Sequence, residues 1–243
     1  MSTDFSGQPA SFPLFNARFP NRFRVEKTLH VPSQEEIKSE ATSFSWCPLD
    51  EALKAASPLT KSVLDAMTPL LLNKKKYVFV DSKVQFFNTE DAPVDSLHWH
   101  VDGSISVEDD RTKKLGYILL HDMYARMQHQ DPPTFLAYQS STHCATRFLT
   151  ETLELRIPKC IPSFAPFSQL VEGYEPRSIA QAPGTIVSFD GWSIHRAVKA
   201  SSAGWRLWVR MKETDHFTKA KPGSEDSYGT VFRFAPGGPQ LSP

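Results

Sequence analysis

Short β-type runs separated by turn residues constrain the fold of this chain more than any other feature. From Tyr77 onward, aromatic and β-branched residues gather in brief apolar segments, and Gly or Pro stands between many of them. We predict strands at residues 77–80, 84–87, 96–102, 115–121, 133–139, 178–181, 184–189, 193–199 and 205–213. Many short strands of this kind are typical of a sandwich or barrel-like pair of sheets.

Helix signals flank these runs. Ser33 and Glu36 have the spacing of a capping box, which predicts a helix over 34–44. Ser57 followed by Pro58 is typical of the start of a second helix. The other segments are predicted as an irregular arm (1–33), two loops (122–132 and 160–176) and a short helix (145–157). We expect one domain over 1–243, with the arm and buttressing helices in 1–76, a β core in 77–213 and a C-terminal extension in 214–243.

The composition bounds the functions that such a chain can carry. Apolar residues make up 40% of the 243 residues, enough for a core, and 27 basic side chains balance 27 acidic ones. No net field favours nucleic acid or a membrane surface, so neither is expected as a partner. Cys47, Cys144 and Cys160 form no CxxC pair, which argues against a disulfide framework or a zinc knuckle. The sequence opens without a secretory leader and has no membrane-length apolar run, so we expect a cytoplasmic protein.

An alternating stretch at 96–103 carries the clearest chemical signal. On an extended strand, side chains two residues apart lie on one face, so His98, His100 and Asp102 share a face that is backed by apolar residues. His195, which lies 95 residues after His100 and follows a Gly-containing turn, is a further ligand candidate. Two imidazoles and one carboxylate on one side of a metal leave positions open, an arrangement that suits Fe(II) and oxygen chemistry.

Arg206 is the candidate for binding an acidic co-substrate beside that metal. We expect His195 to pair with Trp208 across a hairpin, which places Arg206 about 7 Å diagonally from His195. A guanidinium is a planar, permanently charged fork that matches a carboxylate. Arg210 alternates onto the same face of the strand. It is an alternative site for the co-substrate or for an acidic group of the substrate, and a surface salt bridge is an equal interpretation.

This pattern resembles that of the Fe(II)/2-oxoglutarate-dependent dioxygenases over about residues 77–213. The resemblance rests on His100-Val101-Asp102, on His195 within PGTIVSFDGWSIHRA, and on Arg206, which follows His195 by 11 residues. It implies a mainly β fold with flanking helices, of the cupin-like double-stranded β-helix or jelly-roll type. It also implies that His100, Asp102 and His195 bind the catalytic Fe(II), and that Arg206 holds the 5-carboxylate of 2-oxoglutarate.

The same resemblance implies an oxidoreductase that uses O2 and releases succinate and CO2. The expected reaction is oxidation, most simply hydroxylation, of an unactivated C–H bond in a small molecule such as an amino acid or a biosynthetic intermediate. Substrate geometry decides between hydroxylation and other oxidations. Weaker candidates for the cofactor are Gln85, Asn88 and Tyr117, and those for the substrate are His98, Trp192 and Trp208. Core packing is an equal interpretation for the two tryptophans. The weakest polar candidates are His121, Asp122, Ser141, Thr142 and His143.

Three alternatives stay open. His98 with His100 forms a His-x-His pair of the cupin kind, which Glu108 completes only at a spacing longer than that pattern has. An enzyme of this class alternatively acts on protein or nucleic acid, although Arg210 follows Arg206 more closely than in the nucleic-acid repair branch. A jelly-roll binding module with an inactive site is the non-enzymatic alternative. The sequence determines neither the substrate nor the oligomeric state.

Overall fold

Antiparallel strands make up most of the regular structure. The computed structural model describes residues 13–41, 43–94, 96–102, 118–129, 132–215, 232–235 and 238–241. Its strands are β1 (Leu14–Phe19), β2 (Arg24–Thr28), β3 (Phe44–Pro48), β4 (Tyr77–Phe87), β5 (Asp91–Ala92), β6 (Thr134–Gln139), β7 (Arg147–Leu149), β8 (Leu153–Pro158), β9 (Ser178–Ala180), β10 (Thr185–Asp190), β11 (His195–Arg196), β12 (Gly204–Thr214), β13 (Phe232–Ala235) and β14 (Gly238–Leu241). Its α-helices are α1 (Gln34–Lys38), α2 (Leu49–Ala55), α3 (Pro58–Met67), α4 (Leu120–His129) and α5 (Ala165–Val171). Short 3₁₀ helices cover Thr68–Leu70 and Glu172–Arg177.

The strands form one large sheet and three smaller ones. The large sheet has the order β2-β10-β6-β12-β4-β3, and a three-stranded sheet has the order β11-β7-β9. Strand β1 pairs with β8, and the hairpin β13–β14 extends from β5. The fold is thus mainly β with few helices, as predicted. Among the described residues, no helix is both long enough and apolar enough to cross a membrane.

Side-chain alternation along β12 divides the large sheet into two faces. Leu207, Val209 and Met211 are buried in a core cluster that also contains Val63 and Leu64 of α3. The helices α1–α3 therefore cover this outer face, where full burial of a large apolar side chain contributes about 1.5–3 kcal/mol. The residues between them on β12 point to the opposite face, which lines a cavity.

The β11-β7-β9 sheet lies over that opposite face. Phe148 of β7 packs against Phe189 of β10, with ring centroids 5.1 Å apart, and both belong to a buried cluster with Phe135, Ala137 and Val187. The cavity therefore lies between two β layers, with side chains of both layers in its wall.

The predicted helix starts at Ser33 and Ser57 agree with the structure. The Ser33 hydroxyl accepts a hydrogen bond from the Glu36 amide at 3.2 Å, and the Ser33 amide donates to the Glu36 carboxylate at 2.7 Å. Helix α1 ends at Lys38 rather than at 44, because the chain from Phe44 pairs with β4. Helix α3 begins at Pro58 and ends at Met67, just before Pro69.

Several other local predictions were wrong. Residues 14–28, expected to be irregular, form β1 and β2, which pair with the distant strands β8 and β10. The helix expected over 145–157 is instead β7 and β8, and the loop expected over 122–132 is largely α4. The loop expected over 160–176 contains α5. Pairing between distant segments overrides weak local propensity in each of these strands.

Candidate metal centre

Two imidazoles and one carboxylate converge at one point of the cavity wall. The ligand atoms of His100, Asp102 and His195 all lie within 4.8 Å of one another. The His100 Nε2 atom is 3.9 Å from Asp102 Oδ1, and the His195 Nε2 atom is 3.7 Å from Asp102 Oδ2. Ligand atoms held about 2.1 Å from a common ion lie roughly 3 to 4 Å apart, so these spacings fit a single first-row metal.

The backbone brings the two histidines together. The His100 amide donates to the His195 carbonyl at 3.0 Å, and the His195 amide donates to the His100 carbonyl at 3.1 Å. Residues 96–102 contribute only this isolated bridge rather than a full strand. The predicted alternation nevertheless holds, since Trp99 and Val101 are buried in the core while His100 and Asp102 reach the cavity.

Hydrogen bonds to backbone carbonyls orient both imidazoles. The Nδ1 atom of His100 lies 2.8 Å from the His98 carbonyl oxygen, and that of His195 lies 3.0 Å from the Ser193 carbonyl oxygen. A carbonyl only accepts, so each Nδ1 carries the proton and each Nε2 presents a lone pair. Metal-binding histidines are oriented in this way by the hydrogen bond of the other ring nitrogen.

Burial and local charges keep His195 and Asp102 in the protonation states that a metal requires. Burial, reinforced by His100, lowers the pKa of His195 to about 4. Burial alone raises the pKa of Asp102, but the positive charge of Arg210, together with His195 and His100, outweighs it and lowers that pKa to about 2. At neutral pH the His195 imidazole is therefore neutral and the Asp102 carboxylate is ionised.

Arg206 also lies in this cavity wall. It is a buried cation with no carboxylate partner among the described residues. Its side chain is 4% exposed, its Nη1 donates to the Cys144 sulfur at 3.7 Å, and its Nε has no hydrogen-bond partner. Among the described residues it forms no ion pair. Burial lowers the pKa of Arg206 and raises that of Cys144, so the sulfur stays a neutral thiol. Because a buried charge without a counter-ion is costly, this position is suited to an incoming anion.

The predicted register around Arg206 was wrong. His195 pairs with Phe148 and bridges to His100, whereas Trp208 pairs with Lys83 on one side and Gln139 on the other. Strands β11 and β12 therefore belong to different sheets, since β12 pairs over its whole length with β4. Arg206 reaches the cavity from the layer opposite His195 rather than diagonally within one hairpin.

Arg210 lies on the same face of β12 but is already paired. Its Nη1 donates to Asp102 Oδ2 at 2.9 Å, and its Nη2 donates to Asp81 Oδ2 at 2.9 Å. The candidate second anchor for a co-substrate is therefore engaged by two carboxylates. It contacts the candidate metal ligand itself, a role that the sequence did not suggest.

The remaining candidates divide between the cavity and other places. Gln85, which pairs with Arg206 across the sheet, and Trp208 both line the cavity of about 380 Å³. Trp192 does not; it is buried, stacks on Phe19 with centroids 5.0 Å apart, and donates through Nε1 to the Arg18 carbonyl. The candidates that do not line this cavity are His98, Asn88, His121, Asp122, Ser141, Thr142 and His143. Tyr117 and Glu108 lie outside the described residues.

Sequence reasoning missed part of the wall. Asp81 and Lys83 line the cavity together with Gln85, two residues apart along β4. The sequence 81–83 was interpreted as a break between two strands, although its alternation with Gln85 is the signal of a polar inner face. Trp46, with a positive φ of 51°, also lines the cavity, and no sequence pattern marked it.

Comparisons with known proteins add little to this geometry. No family model matches the chain, and no curated protein matches it either. A solved structure titled "Non-heme monooxygenase, ThoJ-Ni complex" is 12% identical in sequence, with 80% of this chain and 74% of that chain covered and a TM-score of 0.37. A likeness at this level carries no argument about the present chain. The case for a function rests on the side chains of the cavity.

Proposed function

We propose that this protein is an Fe(II)- and 2-oxoglutarate-dependent dioxygenase that hydroxylates a small molecule. One observation carries the proposal: the His100–Asp102–His195 cluster shares a cavity with Arg206, a buried cation that has no carboxylate partner among the described residues. A metal and a dianionic co-substrate are the two groups that this pair of features accommodates.

The donor set fits iron. Two imidazole nitrogens and one carboxylate oxygen grouped on one side of an ion leave adjacent positions for other ligands, and this set is typical of non-haem Fe(II) oxygenases. Iron held by His100, Asp102 and His195 would supply the redox chemistry that couples oxidative decarboxylation of 2-oxoglutarate by O2 to substrate oxidation, with one oxygen atom entering succinate and the other entering the product. The chain itself holds His195 neutral and Asp102 ionised, and it fixes both imidazoles through Nδ1.

The co-substrate position is proposed at Arg206. A guanidinium binds a carboxylate through two parallel hydrogen bonds, and the buried setting strengthens that attraction. Gln85 lies opposite Arg206 in the sheet and adds an amide to the same part of the wall. The neutral thiol of Cys144 brings no competing negative charge. The 5-carboxylate of 2-oxoglutarate thus gains a counter-ion, and Arg206 gains the partner that it lacks.

The layer arrangement supports the proposed jelly roll. The six-stranded sheet and the β11-β7-β9 sheet face one another, all their strand pairs are antiparallel, and the cavity lies between them. His195 on β11 and Arg206 on β12 come from these two layers and meet in the cavity.

The cavity favours a small substrate. Its volume of about 380 Å³ has to hold 2-oxoglutarate as well as the substrate, and pockets of this size are typical of small-molecule sites. Phe44, Trp46 and Trp208 supply aromatic surface beside the polar groups. Among the described residues of the wall, none favours a protein or nucleic-acid substrate.

Succinate formation tests the proposal. Purified protein is incubated with Fe(II), ascorbate, O2 and 2-oxoglutarate, alone and with pools of candidate small molecules, and succinate is quantified. We expect succinate that depends on Fe(II) and rises with the right substrate, and we expect none from His100→Ala. If the protein binds no Fe(II) and forms no succinate with any pool, the proposal that it is an enzyme is contradicted. Tight Fe(II) and 2-oxoglutarate binding without turnover in any pool would favour the binding module.

A further inference from the structure

Arg210 joins two carboxylates that belong to different parts of the cavity. It donates through Nη1 to Asp102, a candidate metal ligand, and through Nη2 to Asp81 of β4, both at 2.9 Å. The guanidinium plane is held by rings, because its Cζ lies 5.3 Å from the centroid of Phe135 and 5.3 Å from that of Trp208. A planar group bound at two nitrogens and packed by rings fixes the relative position of Asp102 and Asp81.

Asp81 in turn holds the wall of the cavity at Trp46. The Asp81 Oδ1 atom accepts a hydrogen bond from the Trp46 amide at 2.9 Å. Trp46 has a φ of 51°, in the left-handed region, and it lies in a bulge where the pairing of β3 with β4 shifts between Phe44 and Cys47. A non-glycine residue in this region is strained, because its Cβ lies too close to the following carbonyl oxygen. The hydrogen bond to Asp81 offsets part of that strain, so the conformation of the bulge depends on the Asp81 carboxylate.

Direct contacts therefore lead from a candidate metal ligand to an aromatic side chain in the substrate wall. The order is Asp102, Arg210, Asp81 and the Trp46 amide, each hydrogen-bonded to the next. Charges alternate along this series, and hydrogen bonds in such a chain polarise one another. A metal cation bound to Asp102 adds a positive charge at the end of this series. It therefore changes the strength of the hydrogen bonds that Arg210 and the Trp46 amide donate to Asp81.

We propose that Arg210 and Asp81 are positioning residues that couple occupancy of the metal site to the conformation of the Trp46 wall. This inference rests on the proposed function, in that the metal binds at His100, Asp102 and His195. Because such coupling is reciprocal, a wall held in place by Asp81 also raises the affinity of the site for metal. Arg210 then acts in the metal site and the wall rather than as a second anchor for the co-substrate, since both of its terminal nitrogens are occupied.

The test follows Trp46 by ¹⁹F NMR of protein labelled with 5-fluorotryptophan and titrated with Zn²⁺. The chain has five tryptophans, and the Trp46 resonance is assigned as the one that disappears in Trp46→Phe. Zn²⁺ binding itself is measured independently, by competition with a colorimetric zinc chelator. In the wild type we expect Zn²⁺ to shift the Trp46 resonance.

Asp81→Asn is the informative variant, because Asn retains an acceptor for the Trp46 amide but loses the charge that pairs with Arg210. We expect this variant still to bind Zn²⁺, with an affinity about tenfold lower, as for residues that support metal ligands. At saturating Zn²⁺ we expect the Trp46 shift to fall by more than half. Arg210→Lys, which keeps the charge but loses the fork, is expected to weaken Zn²⁺ binding and the Trp46 shift in the same way. If Asp81→Asn does not fold, Arg210→Lys alone tests the coupling.

Arg177→Lys is the control, since it makes the same change in an exposed arginine that pairs with Glu151 and does not line the cavity. We expect wild-type Zn²⁺ affinity and a wild-type Trp46 shift in this variant. Undiminished Trp46 shifts and Zn²⁺ affinity in Asp81→Asn and Arg210→Lys would overturn the coupling alone. A wild-type protein that binds no metal would overturn both the coupling and the proposed function. If metal binding still shifts the Trp46 resonance but the protein never forms succinate, only the proposed dioxygenase activity is contradicted.

Discussion

His100 and His195 are held together by the backbone rather than by their side chains. Each amide donates to the carbonyl of the other residue, and the two ring centroids lie 4.4 Å apart. Main-chain hydrogen bonds thus make neighbours of residues that lie 95 positions apart in the sequence. The same arrangement holds the His195 imidazole in a buried position.

The first prediction concerns the pH dependence of stability. Burial lowers the pKa of His195 in the folded protein to about 4 from a usual value of 6.5. Between these values the unfolded chain binds more protons than the folded one, so the free energy of unfolding rises with pH in that window. We expect the metal-free protein to lose up to about 3 kcal/mol from this group as the pH falls from 6.5 to 4. Urea denaturation across that range measures the loss.

His195→Gln is the control for this prediction, and its pH dependence should be flatter. Some slope should remain, because burial also lowers the pKa of His143. The same slope in the variant as in the wild type would show that His195 does not carry the effect.

The second prediction concerns the turn that leads into β10. Gly184 has a φ of +72°, and a Cβ built there lies 2.7 Å from the Leu29 carbonyl oxygen. Gly184→Ala therefore combines backbone strain with a clash against backbone, and we expect it to destabilise the protein by more than about 1 kcal/mol. Gly173→Ala is the matched control, since a Cβ at Gly173 meets nothing within 4 Å. Thermal denaturation compares the two; equal melting temperatures would contradict the steric argument.

The His100–Asp102–His195 cluster was predictable because its signal is local chemistry. His100 and Asp102 alternate within one stretch, and His195 lies in a segment of distinctive pattern, so residue type and spacing identified all three. The partners of Arg206 and Arg210 were not predictable, because they depend on which strands pair. A hairpin between β11 and β12 is the natural expectation from sequence order, whereas the actual neighbours of β12 are β4 and β6.

Strand pairing also explains the local errors. Leu153, Leu155 and Ile157 alternate as in a strand, but the same segment is compatible with a short helix until its pairing with β1 is known. From sequence alone, Asp81 is interpreted as an interruption of an apolar run. The structure shows that β4 is one strand whose inner face is polar. The non-local contacts that decide both cases lie more than 100 residues away.

The third prediction concerns the metal itself. Asp102→Ala removes the carboxylate between the two imidazoles, and we expect the affinity for Co(II), followed by visible absorption under anaerobic conditions, to fall by at least about 100-fold, more than the loss of a supporting residue causes. Asp122→Ala, on the exposed pair His121–Asp122 of α4, is the control and should bind Co(II) as the wild type does. Equal affinity in Asp102→Ala would remove this residue from the ligand set.

The fourth prediction sets Arg206 against Arg210, two arginines on the same strand and the same face with opposite electrostatic situations. Arg206→Met removes a buried cation that has no counter-ion among the described residues, so we expect the protein without co-substrate to be as stable as the wild type or more stable. Arg210→Met leaves the partly buried Asp102 and Asp81 without their shared partner, and the cost approaches the value of about 3–5 kcal/mol that breaking a fully buried pair carries. The urea midpoint should therefore fall in Arg210→Met and stay level or rise in Arg206→Met.

Co-substrate binding should separate the same two variants in another way. Truncating one partner of a buried charge pair costs about 2–5 kcal/mol, so Arg206→Met should weaken 2-oxoglutarate binding by roughly 30-fold or more. Isothermal titration with 2-oxoglutarate in the presence of Zn²⁺ measures this loss, while Zn²⁺ binding alone should be unchanged. Arg210→Met should show the reverse pattern, with weakened Zn²⁺ binding. If Arg206→Met left 2-oxoglutarate affinity intact while Arg210→Met abolished it, the anchor would lie at Arg210 and the ion pairs of that residue would have to open to receive the co-substrate.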